Sequence, residues 1–239
     1  MTLIQPFIPS PQLIAWLLPS AVVYAGLAAL LAGYLRVRRG VRTPYTRKIF
    51  HFTIFTAAGL IQMFWGLPGV VIFGSVTSLI VLHAVWRGDG YPLYEAMARP
   101  TDAPRRTLFI IIPLITTALG GVIANVLFPA WAFVGYLVCG WGDAVGEPVG
   151  TRWGRHRYRV PSMGGVPSTR SIEGSLAVFV AGTLATAAAM ALKGAPPAHI
   201  ALIAVGAGLA GALIEAVSTH GLDNLTVQVA ASAAAQWLG

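Results

Sequence analysis

The sequence predicts an all-α protein: a polytopic transmembrane helix bundle of about seven spans, with the N-terminus outside and the basic loops cytoplasmic. Three observations predict it. The 239 residues are 56% hydrophobic and only 10% charged, with a mean hydropathy of +0.72, whereas a soluble domain carries about 25% charged residues. Seven apolar stretches, at roughly 13–35, 49–65, 69–86, 107–128, 131–150, 172–192 and 198–217, are each long enough to cross a hydrocarbon core about 30 Å thick. Finally, fifteen of the sixteen Lys and Arg residues fall in alternate connections between those stretches.

The charges fix the topology. Arg36, Arg38, Arg39, Arg42, Arg47 and Lys48 follow the first stretch. Arg87, Arg99, Arg105 and Arg106 follow the third, and Arg152, Arg155, Arg157, Arg159 and Arg170 follow the fifth. Lys193 alone lies on the other side. The positive-inside rule makes the basic side cytoplasmic, and adding or removing one central span would scatter the basic loops across both faces. Spanning strands are excluded because the apolar runs are continuous, without the period-two alternation of a barrel.

The connections have their own signals. Gly88, Gly90, Pro92, Pro100 and Pro104 punctuate the loop at 87–106, whose middle, 92–99, reads as a short interfacial helix. Its acids, Asp89, Glu95 and Asp102, read as solvated surface charge. The tail at 225–239 is apolar but short for a span, and reads as interfacial or partly re-entrant. Met1–Ser10 lacks a positive n-region, so it reads as a retained segment rather than a cleaved signal peptide. One cysteine, Cys139, leaves no intramolecular disulfide or thiolate cluster. The whole chain, 1–239, reads as one membrane domain. Residues 1–106 supply three spans and a loop; residues 107–239 carry the chemistry, with an anion-binding loop at 151–171.

The remaining acids, Asp143, Glu147, Glu173, Glu215 and Asp223, are expected in or at the cytoplasmic ends of the last three spans. A carboxylate at mid-helix depth costs about 2.5–3.5 kcal/mol to insert, so five on one side suggest a cation or a hydrogen-bond network. Asp143 and Glu147, four apart, share a helical face and repel unless a cation or proton lies between them. Mg²⁺ is the natural candidate, a hard ion that bridges to substrate phosphates. Gly142, Gly146, Gly150 and Gly154 make a smooth stripe beside them, where another backbone or a ligand can come close. Pro148 removes the amide that would bond the carbonyl of Ala144.

The loop that follows carries Arg155, Arg157, Arg159 and Arg170, the pair Gly164-Gly165, and the hydroxyls of Ser168, Thr169 and Ser171. Guanidinium forks and backbone amides of this kind suit a polyphosphate. The loop enters the sixth span at Ser171-Ile172-Glu173-Gly174; Ser171 can equally serve as a helix cap, with Glu173 offsetting the dipole. The familiar alternatives are missing: no P-loop motif, no H-E-x-x-H spacing among the five histidines, no G-x-S-x-G elbow. The net charge of +8 fits membrane topology and an anionic substrate rather than nucleic acid.

These residues resemble a family. Arg47-Lys48-Ile49-Phe50-His51 is similar to the R-K-x-x-H signature of the dolichol kinase and phytol kinase family, membrane enzymes that phosphorylate long isoprenoid alcohols with CTP. Asp143 to Gly174 resembles that family's CTP-binding pattern, D-x-x-A-x-x-x-G-x-x-x-G followed by K-K-T-x-E-G; Asp143, Gly150, Gly154, Glu173 and Gly174 match. Gly146 stands in place of the alanine, and Thr169-Arg170-Ser171 in place of K-K-T. Glu215 and Asp223-Asn224 look like the acidic positions near the C-terminal end of bacterial relatives.

The resemblance implies a CTP-dependent, Mg²⁺-dependent polyprenol kinase acting at the cytoplasmic face of a prokaryotic membrane. Its catalytic candidates are Asp143, Glu173, Glu215 and His51, and its metal candidates are Asp143 and Glu147. Lys48, Gly150, Gly154, Arg155, Arg157, Arg159, Thr169, Arg170, Ser171, Gly174, Asp223 and Asn224 would bind the nucleotide. The implied partners are CTP, an isoprenoid alcohol and membrane lipids, with no nucleic acid. Two other readings remain. A cytidylyltransferase acting on a lipid phosphate would release pyrophosphate, but its C-terminal K-R-x-x-K-D cluster is missing. A transporter would place its acids near mid-membrane and show inverted repeats, of which the sequence has no sign.

Overall fold

A computed structural model describes residues 7–163, 166–219 and 221–239, with side chains left out of the description at 162–168. The Gly164-Gly165 pair and His220 therefore lie outside the described residues. The chain forms two compact units, Met1–Ile111 and Ile112–Gly239. Five helices are long and apolar enough to cross a membrane. Two facts connect that count to the seven stretches in the sequence.

The first lies in unit 1. Helix α1 (Pro11–Val37) starts at Ser10, whose Oγ accepts from the amide of Leu13 at 3.2 Å. Helix α2 (Thr43–Arg87) is 45 residues long but is broken at Gly66, with φ +62° and ψ −158°, a region open essentially to glycine alone. The Tyr24 hydroxyl donates to the carbonyl of Thr53 at 3.2 Å, while the Tyr24 ring lies 6.2 Å from that of Phe73. On a straight helix those two residues would be about 30 Å apart. Chain 43–65 and chain 67–87 are therefore an antiparallel pair, reversing at Gly66 and Pro68, and they are the second and third predicted spans.

The short helix α3 (Pro92–Met97) is the predicted interfacial helix, and a 3-10 turn follows at Pro100–Asp102. Thr43 Oγ1 donates to the carbonyl of Glu95 at 3.2 Å and Thr46 Oγ1 to that of Ala96 at 2.9 Å. Both basic connections of unit 1 thus gather at one end, as the charge pattern requires. Of the acids there, Asp89 is exposed as expected, while Glu95 and Asp102 are largely withdrawn from water. Arg106 donates to Asp89 at 2.6 Å and to Glu95 at 2.8 Å, and buried Asp102 pairs with Arg99 at 3.1 Å. Burial pushes the Glu95 carboxyl up, but the Gly90 amide and the Arg106 guanidinium outweigh it and hold the group below its ordinary value.

The second fact lies in unit 2. Helix α4 (Leu108–Leu127), whose first turn belongs to unit 1, is followed by α5 (Ala132–Trp153), α6 (Ile172–Leu192), α7 (Pro197–Val217) and α8 (Asp223–Leu238). At 22 residues α5 has the length of a span, but it carries Asp143, Glu147 and Arg152. The tail forms a packed helix: α8 lies against α5 and α7, with Gln228 and Ser232 fully buried. Gly135 of α5 makes room for it, since a Cβ there would run into Gln228 and Ser232. The loop after α5 folds into an antiparallel pair, β1 (Arg157–Met163) and β2 (Val166–Ser171), the only strands among the described residues.

Candidate functional site

The glycine stripe of α5 is where α6 lies. A Cβ on Gly142 would sit 2.8 Å from Val178, and one on Gly154 2.6 Å from Ser171 Oγ. Gly150 and Gly174 face each other across the same contact. Small residues let the two backbones close in this way, and the close approach seats the N-terminus of α6 beside the acids of α5. Ser171 caps that terminus, its buried Oγ accepting from the amide of Gly174 at 3.1 Å. Glu173 accepts from His156 Nδ1 at 2.7 Å, a partner the sequence reading did not single out.

The register of the hairpin sorts the arginines. Arg157 pairs with Ser171, Tyr158 with Arg170, and Arg159 with Thr169. Side chains alternate along a strand, so Arg157 and Arg159 share one face with Thr169, while Tyr158 and Arg170 share the other. The first three are exposed, as is Arg155. The second face turns toward the helices: Tyr158 Oη lies 2.8 Å from Ser175 Oγ, and Val160 is buried. Arg170 is the one arginine of the hairpin with carboxylate partners among the described residues.

Those partners are Glu215 and Asp223. Arg170 Nη1 pairs with Glu215 Oε1, and Arg170 Nη2 donates to Asp223 Oδ2 at 3.0 Å and to the carbonyl of Ser218 at 3.3 Å. All three charged side chains are 11–13% exposed. Asp223 Oδ1 accepts from the amides of Gly221 at 3.1 Å and Asn224 at 3.0 Å, so that carboxylate is fully engaged. Glu215 is not: its Oε2 is buried with no hydrogen-bond partner, and Arg170 Nε is likewise unsatisfied. A small cavity touches Asp143, Glu215, Asp223 and Asn224, closed by Cys139, Val138, Val178 and Val227.

Asp143 is halfway along α5, and Asn224 Nδ2 donates at 2.9 Å to Thr117 Oγ1, halfway along α4. Glu173 and Glu215 lie at helix ends, as the sequence suggests, while α8 starts inside the bundle and carries Asp223-Asn224 there. Glu147, one turn beyond Asp143, is half-buried. Lys48 and His51 belong to unit 1. There Lys48 is buried, and His51 stacks on Phe55 with centroids 4.0 Å apart.

Among the described residues no three His, Cys, Asp or Glu side chains form a group able to hold a metal ion by themselves. Mg²⁺ does not require one, since it is held by one or two carboxylates plus substrate phosphate. The oxygen donors of Asp143 and Glu147, and the orphaned Glu215 Oε2, are of the right chemistry for it.

A helical membrane bundle with a buried arginine–carboxylate cluster beneath a basic hairpin is an integral membrane enzyme in design. No family model and no solved structure matches the chain. A curated protein does: the phytol kinase of Synechocystis sp. is 30% identical over 222 residues, spanning 92% of this chain and 89% of that protein. The chain belongs to the phytol kinase and polyprenol kinase-like family.

Proposed function

We propose that the protein phosphorylates a long-chain isoprenoid alcohol to its monophosphate, with CTP as donor, at the cytoplasmic face of a prokaryotic membrane. The observation that carries this reading is the convergence of Asp143, Glu215 and Asp223 on one small cavity, with Arg170 paired to the last two, in a chain similar over nearly its whole length to a phytol kinase.

In the reaction the alcohol oxygen attacks the γ-phosphorus, the bond to the β,γ-bridging oxygen breaks, and CDP leaves. The hydroxyl proton goes to a carboxylate, and Glu215, with one buried oxygen unpartnered, is the group placed to take it. Asp223 is spent on Arg170 and two backbone amides, which suits a residue that orients rather than reacts. Arg170 offsets one of the two acidic charges and offers its unpartnered Nε to a phosphate oxygen. Arg155, Arg157 and Arg159, exposed on the hairpin, would meet the triphosphate from outside. Asp143 and Glu147 would hold Mg²⁺, which when bound supplies the charge that offsets the triphosphate. Such positioning and charge stabilisation make up most of catalysis in phosphoryl transfer. Roles for Glu173, Lys48 and His51 in the same reaction remain part of the proposal. Because Ser171 Oγ, Gly150, Gly154 and Gly174 are engaged between α5 and α6, any nucleotide contact there would come from the backbone.

The test is purified full-length protein with γ-labelled CTP, Mg²⁺ and a panel of prenols. The expected result is a labelled isoprenyl monophosphate with release of CDP. Release of pyrophosphate would make it a cytidylyltransferase, and no label on any prenol would end the kinase reading. One observation, Asp143 halfway along α5, favours transport instead; flux into liposomes without nucleotide would establish that reading.

A further inference from the structure

Unit 1 contains a trough that the proposed reaction does not use. It lies between α1 and the second half of α2, with a volume of about 730 Å³, within the ~300–1,000 Å³ of ordinary ligand sites. Its floor is made by small residues, Gly26 and Ala29 of α1, and is closed at Gly33 by Pro92. A Cβ on Gly26 would meet no atom within 4 Å, so the floor there is open space. Leu30 and Leu79 line the trough and are 70% and 66% exposed, which on a membrane helix means they face lipid.

The end of the trough is cationic. Arg38, His83 and Tyr91 line it there. Arg39 stands 5.8 Å from the Tyr34 ring and Arg87 5.1 Å from the Tyr91 ring, whose edge meets His83 at 5.5 Å. None of the lining residues is acidic, and Asp89 and Glu95 of the adjoining loop are engaged by Arg106. From Gly26 to Arg38 the helix rises about 18 Å. An apolar channel of that length, open to the bilayer and ending in positive charge on the basic side, matches an anionic lipid in both shape and sign. Basic pockets between membrane helices on the cytoplasmic side hold phosphate headgroups by this combination.

We infer that the trough binds one anionic glycerophospholipid of the cytoplasmic leaflet. An acyl chain lies along Gly26 and Ala29 and passes over Pro92, and the phosphate sits between Arg38 and His83. All residues lining the trough belong to unit 1, and all those of the acid cluster to unit 2.

Native mass spectrometry of the full-length protein, taken from nanodiscs of phosphatidylglycerol or of phosphatidylcholine, tests this. One phosphatidylglycerol is expected to stay bound per chain, with phosphatidylcholine lost. Arg38→Gln should weaken retention about fivefold, the equivalent of the roughly 1 kcal/mol that one basic residue contributes near an anionic headgroup. Gly26→Phe should abolish it by filling the open floor. Three results would each overturn the inference: equal retention of the two lipids, unchanged retention in Arg38→Gln, or displacement of phosphatidylglycerol by an equimolar isoprenyl monophosphate. Arg38→Gln leaves the packed core untouched, so the outcome does not depend on the folding of Gly26→Phe.

Discussion

Each unit holds an arginine between two carboxylates, and the two arrangements differ in what is left over. In unit 1, Arg106 joins Asp89 and Glu95 where water reaches: Asp89 is 77% exposed, and both oxygens of Glu95 are engaged, one by Gly90 and one by Arg106. In unit 2, Arg170 joins Glu215 and Asp223 at 11–13% exposure, and Glu215 Oε2 has no partner. An unsatisfied guanidinium Nε is common to both, so the orphaned carboxylate oxygen is what sets them apart. Most buried polar groups in a folded chain have a partner, and a buried carboxylate oxygen without one is among the costliest exceptions. The unit 1 arrangement fastens a loop; the unit 2 arrangement keeps a carboxylate oxygen to spare, which the proposed function uses.

Substituting the two arginines is the strongest way to break this comparison. Arg170→Ala leaves two buried carboxylates uncompensated and should cost about 3–5 kcal/mol of stability, with loss of turnover. Arg106→Ala removes a largely solvent-screened pair and should cost about 1 kcal/mol or less, with turnover retained. Denaturant unfolding in detergent beside a turnover assay compares them, and equal costs would contradict the distinction.

Gly66→Ala should come next. It forces a side chain into a conformation that costs about 1–3 kcal/mol and should lower unfolding stability by that much if α2 reverses there. No change would mean that the two halves do not form a hairpin.

The smallest expected effect is a pH dependence in unit 1. The Glu95 carboxyl titrates below its ordinary value of 4.5 in the folded chain, so the unfolded chain binds the proton first as pH falls. Its contribution is therefore complete above that value and is lost as pH drops through the lower, folded one. Proteolysis of loop 88–106 should accelerate over that acid interval and be flat above it. Glu95→Gln should remove the dependence.

Much of the fold was legible because the bilayer leaves few options. The seven apolar stretches and the one-sided arginines gave the helices and their order, and the Gly-Leu-Pro at 66–68 marked the reversal inside α2. The packing of the tail was not legible, because Asn224, Gln228 and Ser232 belong to a helix whose polar face is buried against α4 and α5 rather than in water. The site was half legible. Charge alone named Asp143, Glu215, Asp223 and Arg170 but treated the hairpin arginines as equivalent, because composition cannot set a strand register. Once Tyr158 pairs with Arg170, alternation sends Arg157 and Arg159 outward and Arg170 in. The depth of the cluster depends on where α8 begins, which no local pattern announces.

The central claim is that the orphaned oxygen of Glu215 takes the proton of the acceptor alcohol. Glu215→Gln keeps the shape and leaves Arg170 its bond to Asp223. At saturating CTP and prenol its kcat should fall by about 10²–10⁴, the usual contribution of a general base, while Glu95→Gln in unit 1 should leave kcat unchanged. A Glu215→Gln enzyme turning over at the wild-type rate would contradict the account.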